Sequence, residues 1–156
     1  MNVTIGKRRG VCSGVKQAVE TALRVEPENV SLLGELSHNP SVTDAVRARG
    51  IITVESVDEV PQGATLILRS HGVGRLVYEA CTLKGIRIID CTCPFVRHTQ
   101  ESVRNSTAIG KTVVVIGERP HPEVIGLRGW WNGRVLVVED VYADVSILLV
   151  RKLVGL

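Results

Sequence analysis

The side chains able to do chemistry in this chain gather at a few points. Two of its four cysteines flank a single threonine in "IDCTCPFV" (89–96), where a short apolar run meets a proline. If the strand continued through them, Cys91 and Cys93 would point the same way; if the chain turns at Cys93-Pro94, only one need face a site. Zinc sites use wider C-x₂₋₄-C spacing, so C-x-C argues poorly for zinc. Cys12 lies in the Gly-flanked stretch "RRGVCSG" (8–14), and one thiol in such a turn is equally at home as a small buried hydrophobe. Cys81 sits mid-helix and reads as core filler. Three of the four histidines follow apolar runs: His38 with Asn39, His71 with Gly72, and His121 with Pro122 and Glu123. Imidazoles converging near a helix N-terminus make an anion cradle. Taken singly, each histidine also reads as a cap, and Glu123 as a first-turn glutamate favoured by the helix dipole. Thiols, imidazoles and a carboxylate on one face leave two classes open: a metal or iron–sulfur enzyme acting on an anionic substrate, or a phosphate-binding module with structural cysteines. The glycines fit neither a G-x-G-x-x-G fingerprint nor a P-loop.

The elements that must position these residues alternate between β-branched runs and helical stretches. Strands are expected at 2–5, 30–34, 51–54, 64–70, 86–90, 112–117 and 134–140. Residues 13–24 carry Val15, Ala18, Val19, Ala22 and Leu23 at helical spacing. Pro40 opens a second helix that Gly50 closes, a third spans 74–84, a fourth follows Pro94 over 95–107, and a short one lies near 123–130. This βαβ grammar predicts an α/β protein of repeated small parallel-sheet domains, the first complete over 1–93 and the second partial over 94–156. Ligands of open α/β sheets collect at the carboxyl ends of strands, and the reactive residues fall there repeatedly. The tail from Val141 is apolar almost to its end, which reads as an incomplete chain.

Composition is that of an ordinary globular protein: 44% hydrophobic and 22% charged, with so few aromatics (3%) that Val, Ile, Leu and Ala must build the core. Lysine and arginine exceed aspartate and glutamate by 19 to 16, too little to argue for nucleic acid, though ample for a local anion site. No run approaches a membrane span and no apolar leader opens the chain, so the expected compartment is the cytoplasm, where structural disulfides are unexpected.

Six segments together resemble one family, the 4-hydroxy-3-methylbut-2-enyl diphosphate reductases (LytB family). They are "RGVCSGV" (9–15), "HN" (38–39), "RARG" (47–50), "SHGV" (70–73), "DCTCPFV" (90–96) and "HPEVIG" (121–126), in matching order and spacing. Val11 stands where the family usually has Phe. The resemblance implies a [4Fe-4S] cluster held by three cysteines from three similar α/β domains, with Cys12 and Cys93 as the first two ligands and the third missing from this chain along with the third domain. It implies that His38, Asn39, His71 and His121 line the site of an allylic diphosphate and that Glu123 delivers protons to it. It further implies electrons from an external donor such as ferredoxin or flavodoxin, and isopentenyl and dimethylallyl diphosphate as products of the last step of the methylerythritol phosphate route. On this reading the chain is a C-terminally truncated form; the alternative is a non-catalytic phosphate-binding or interaction fragment with structural cysteines.

Overall fold

The computed structural model describes residues 3–5, 13–36, 39–133 and 135–140. By contacts the chain divides into two compact units, one of residues 1–70 and 81–94, the other of 71–80 and 95–156. The sequence places a break at Cys93-Pro94; the contacts divide the chain there and also group 71–80 with the second unit.

The first unit is built on a four-stranded parallel sheet. Its strands are β1 (Val30–Leu33), β2 (Ile52–Val54), β3 (Thr65–Leu68) and β4 (Arg87–Asp90), in the order β2-β1-β3-β4. The two central strands are apolar and buried on both faces, as a parallel sheet demands. Leu66, Ile67 and Leu68 are wholly buried, each contributing about 1.5–3 kcal/mol of hydrophobic stabilisation. Helix α1 (Ser13–Arg24) turns Ala18 and Ala22 onto the sheet, where they meet Val30, Leu32, Ile67 and Cys91 in one core cluster. Helix α2 (Pro40–Ala48) adds Val46 to that cluster. A one-turn 3₁₀ helix (Val57–Glu59) carries a Ser56/Glu59 capping box, and Lys84 Nζ donates to the carbonyls of Val57 and Asp58 at 2.9 and 3.0 Å.

In the second unit, α4 (Pro94–Ala108), a single residue of which lies across the division, precedes the parallel pair β5 (Val113–Ile116) and β6 (Val135–Val138), joined by α5 (Pro122–Arg128). Helix α3 (Arg75–Leu83) spans the division between units. The α/β class expected from the sequence is what forms.

One expected strand does not form. Val3–Ile5 makes no ladder, and Val3 and Ile5 are 77% and 67% exposed. β-branched residues give a propensity, but a strand exists only where a neighbour supplies hydrogen bonds and covers its side chains. The expected tail beyond residue 140 lies outside the described residues. No described helix is long and apolar enough to cross a membrane.

Candidate functional site

In the first unit, β4 ends at Asp90, whose carboxylate accepts the Thr92 N–H at 2.9 Å and turns the chain. The backbone then keeps contact with the end of β3: Cys91 N–H donates to Leu68 O at 3.1 Å and Cys93 N–H to Ser70 O at 2.9 Å. Pro94 opens α4 directly afterwards. The two thiols diverge in environment. Cys91 is buried in the core cluster, its Sγ 4.0 Å from Ala18 O. Burial, aided by the neighbouring Asp90 charge and opposed by a hydrogen bond with Thr21, pushes its pKa up to about 11. Cys93 is only half-buried, and its Sγ lies against Gly14 in the first turn of α1, where an added Cβ would come within 2.5 Å of the sulfur. Gly14 therefore leaves room for that sulfur alone.

Asn39 caps α2, its Oδ1 accepting from Ser41 N–H at 3.0 Å, with Pro40 at the first helical position. Capping engages Oδ1 and makes Nδ2 the group that can donate to a ligand.

In the second unit the sequence-predicted residues His71, His121 and Glu123 come together. The two imidazoles meet edge to face, centroids 6.2 Å apart and planes at 86°. His121 caps α5: its Nδ1 accepts the Glu123 N–H at 3.3 Å. An accepting Nδ1 carries no proton, so Nε2 is the ring's donor. Glu123 is half-buried in the first turn, and its carboxylate makes no hydrogen bond or ion pair among the described residues. The capping reading and the site reading of His121 are thus both correct, on different ring nitrogens.

Glycines make this meeting possible. A Cβ at Gly126 would sit 3.2 Å from Gly72 O, and one at Gly74 would sit 2.9 Å from Gly129 Cα. The backbone of 72–74, which carries His71, therefore packs directly on α5, which His121 caps. Gly72 also holds φ +72°, open to glycine at no steric cost. The loop before His121 is fixed by Arg119, which donates through its backbone N–H and Nε to Glu139 at 2.6 and 3.0 Å, and through Nη2 to Val137 O at 2.9 Å. None of Gly14, Gly74, Gly126, Gly129 or Arg119 stood out as a site-former in the sequence. The repeated G-x-G and G-x-x-G spacing of 72–74 and 126–129 was the available signal.

Cys12 and His38 lie outside the described residues. Asn39 and Cys93 belong to the first unit; His71, His121 and Glu123 belong to the second. Among the described residues no group of three or more His, Cys, Asp or Glu is placed to hold a metal ion. Cys93 fits a cluster ligand, being accessible beside a glycine; Cys91, buried and held protonated, does not.

A family model described as LytB protein matches residues 3–154. Among curated relatives, a 4-hydroxy-3-methylbut-2-enyl diphosphate reductase of a Thermoanaerobacter species is 37% identical over 147 residues, covering 90% of this chain and 51% of its own. The reductase of a Geobacter species is 39% identical over 142 residues, covering 90% and 50%. A solved (E)-4-hydroxy-3-methyl-but-2-enyl diphosphate reductase, the terminal enzyme of the non-mevalonate pathway, superposes with a TM-score of 0.77 at 37% identity, covering 90% of this chain and 52% of that one. The E-1-hydroxy-2-methyl-but-2-enyl-4-diphosphate reductase of Plasmodium falciparum gives 0.74 at 25% identity. The chain spans about half the length of these relatives.

Proposed function

Because this chain belongs to the LytB family, we propose that it carries the diphosphate-binding and part of the cluster-binding machinery of a 4-hydroxy-3-methylbut-2-enyl diphosphate reductase of the methylerythritol phosphate pathway. The observation that supports this most is the His71–His121 pair beside Glu123, two ring donors and a carboxylate without a protein partner among the described residues. The reaction breaks an allylic C–O bond, forms a C–H bond and releases water; two electrons and two protons balance it. The products are isopentenyl and dimethylallyl diphosphate. A [4Fe-4S] cluster, when bound, supplies the electrons and an open iron for the hydroxyl. Cys93 and Cys12 are the ligands this chain would offer it; with Cys81 and Cys91 buried, a third thiolate comes from elsewhere.

The chain's own residues do the rest. His121 donates from Nε2 to a diphosphate oxygen, with its ring plane fixed by the cap on α5. His71, edge-on to it, offers a second donor in a different direction, so the pair grips a tetrahedral group rather than a flat one. His38 and the Nδ2 of Asn39 add to this set. Glu123 holds the proton that passes to the departing hydroxyl; a carboxyl needs only to be within hydrogen-bond reach for that role. An external donor such as ferredoxin or flavodoxin delivers the electrons, and the cytoplasm is the compartment.

Anaerobic reconstitution with iron and sulfide tests the reading. It expects bound iron and cubane absorption lost in Cys12→Ser and Cys93→Ser and kept in Cys91→Ser, and product formation with a reduced viologen that is lost in Glu123→Gln. The second reading is a non-catalytic phosphate-binding fragment, favoured by the absence of a complete metal-holding group among the described residues. Diphosphate binding with no iron uptake selects it, and binding of neither refutes both.

A further inference from the structure

The two residues after β3 reach across to the loop that leaves β1. Arg69 lies over Gly34: a Cβ there would fall 2.5 Å from its Nη1, 3.3 Å from Cζ and 3.4 Å from Cδ. Gly34 holds φ +65°, and its N–H donates to Val54 O at 2.8 Å, so the backbone at this point is pinned on one side and roofed by the guanidinium on the other. Ser70, 3% exposed, donates its hydroxyl to Leu36 O at 3.2 Å, and Leu36 is 1% exposed. Gly34 and Leu36 are thus held from β3 two residues apart, and three residues after Leu36 comes Asn39.

Arg69 is costly where it stands. Its Nε is buried with no hydrogen-bond partner among the described residues. Burial pulls the guanidinium below its usual range, and the Glu55 carboxylate that follows β2 pushes back. Carboxyl ends of three adjacent strands, β2, β1 and β3, are therefore linked by one side chain. A methionine or leucine could cover Gly34 without an orphaned donor. An unsatisfied cation retained beside a glycine calls for a reason other than stability.

We propose that Arg69 and Ser70 are positioning residues for Asn39, fixing the loop after β1 so that the start of α2 presents its carboxamide to the substrate's diphosphate. The inference rests on the diphosphate reading given above. It predicts that Arg69 acts through Asn39 rather than by touching the ligand.

A double-mutant cycle on the full chain, read by calorimetric titration with inorganic diphosphate, tests this. Asn39→Ser keeps a capping oxygen and removes the carboxamide. It weakens binding about fivefold, the worth of one ordinary hydrogen bond. Arg69→Met and Ser70→Ala each weaken binding by about the same factor, and neither adds a further loss on the Asn39→Ser background. Multiplicative losses in the double variants mean that Arg69 contacts the ligand itself, and overturn the proposal. Unchanged binding in both Arg69→Met and Ser70→Ala, with Asn39→Ser weakened, overturns it while the diphosphate reading stands. Full-strength binding by Asn39→Ser, or no binding by the unsubstituted protein, fails the diphosphate reading itself. If Arg69→Met does not fold, Ser70→Ala carries the same cycle.

Discussion

Gly14→Ala is the sharpest single test of how the first unit places its accessible thiol. Alanine would normally help a helix: replacing glycine in a helix interior gains about 0.5–1 kcal/mol, and less in the first turn. Here the new methyl would lie 2.5 Å from Cys93 Sγ and 3.0 Å from Cys93 Cβ, both inside any real carbon contact. Neither partner gives easily, because Cys93 is held by its N–H to Ser70 O at 2.9 Å and is followed at once by Pro94. Overpacking of this kind costs about 1–3 kcal/mol. The net expectation is a loss of about 1–2 kcal/mol, or roughly 2–8 °C in Tm for a chain of this size. Thermal unfolding followed by circular dichroism reads it directly. The same substitution on a Cys93→Ala background removes the sulfur, the nearer of the two clashes, and the penalty should fall by about half or more. A Gly14→Ala protein as stable as its parent refutes the reasoning, and so does a penalty that is the same with and without the sulfur.

Four further substitutions test other contacts. Gly74→Ala would set a methyl 2.9 Å from Gly129 Cα, backbone against backbone, and should cost more than Gly14→Ala, about 2–4 kcal/mol by thermal unfolding, while Gly63→Ala, facing open space at φ +73°, costs only its backbone strain of about 1 kcal/mol. Asn39→Ala should lose about 1 kcal/mol through the missing cap, and Asn39→Asp should retain it, as judged by urea unfolding. His121→Asn keeps a capping oxygen for the Glu123 N–H and removes the Nε2 donor, so it should leave Tm within about 0.5 kcal/mol of the parent yet weaken diphosphate binding, whereas His121→Ala loses both. Cys91 gives an alkaline signature: its thiol, pushed to about 11 in the fold, would ionise near 8.5–9 when unfolded, so the unfolded chain releases the proton first. That contribution is whole below pH 9 and is lost as pH rises towards 11. With allowance for solvent screening it amounts to about 1–2 kcal/mol, and Cys91→Ala should show a correspondingly flatter Tm profile between pH 8 and 10.5.

Much of the fold was legible because it is local. Residues 13–24 have apolar side chains at helical spacing and form α1 over those same residues. Pro40, Pro94 and Pro122 each open a helix, as a ring with φ already fixed and no N–H to lose should. Strand cores were legible from β-branched runs, but their ends were not. The run 64–70 is a strand only over Thr65–Leu68, because Arg69 and Ser70 spend their side chains on the loop after β1. "NVTI" failed for the complementary reason, since its propensity has no neighbouring edge to act on. The site was half legible. Residue types named His71, His121 and Glu123, but not that two imidazoles would meet at 6.2 Å, which depends on glycines far apart in sequence. A glycine chosen for space leaves no trace in its own flanking residues; only the segment it faces explains it.

The C-x-C pair shows how far one residue of spacing can be made to matter. Parallel hydrogen bonds from Cys91 N–H to Leu68 O and from Cys93 N–H to Ser70 O hold both residues along the end of β3, so neither has freedom to swing. The Cys91 side chain goes into the cluster formed by Ala18, Ala22 and Ile67, where desolvation keeps it protonated. A thiol in that state is a poor metal ligand, because binding would first require a thiolate in an apolar core beside the Asp90 charge. Cys93 escapes the core because the chain turns into α4 immediately after it, and because Gly14 clears the space at its sulfur. The pair therefore cannot donate two ligands to one centre without unpacking α1 from the sheet. Any cluster this chain helps to hold must draw its remaining thiolates from other segments.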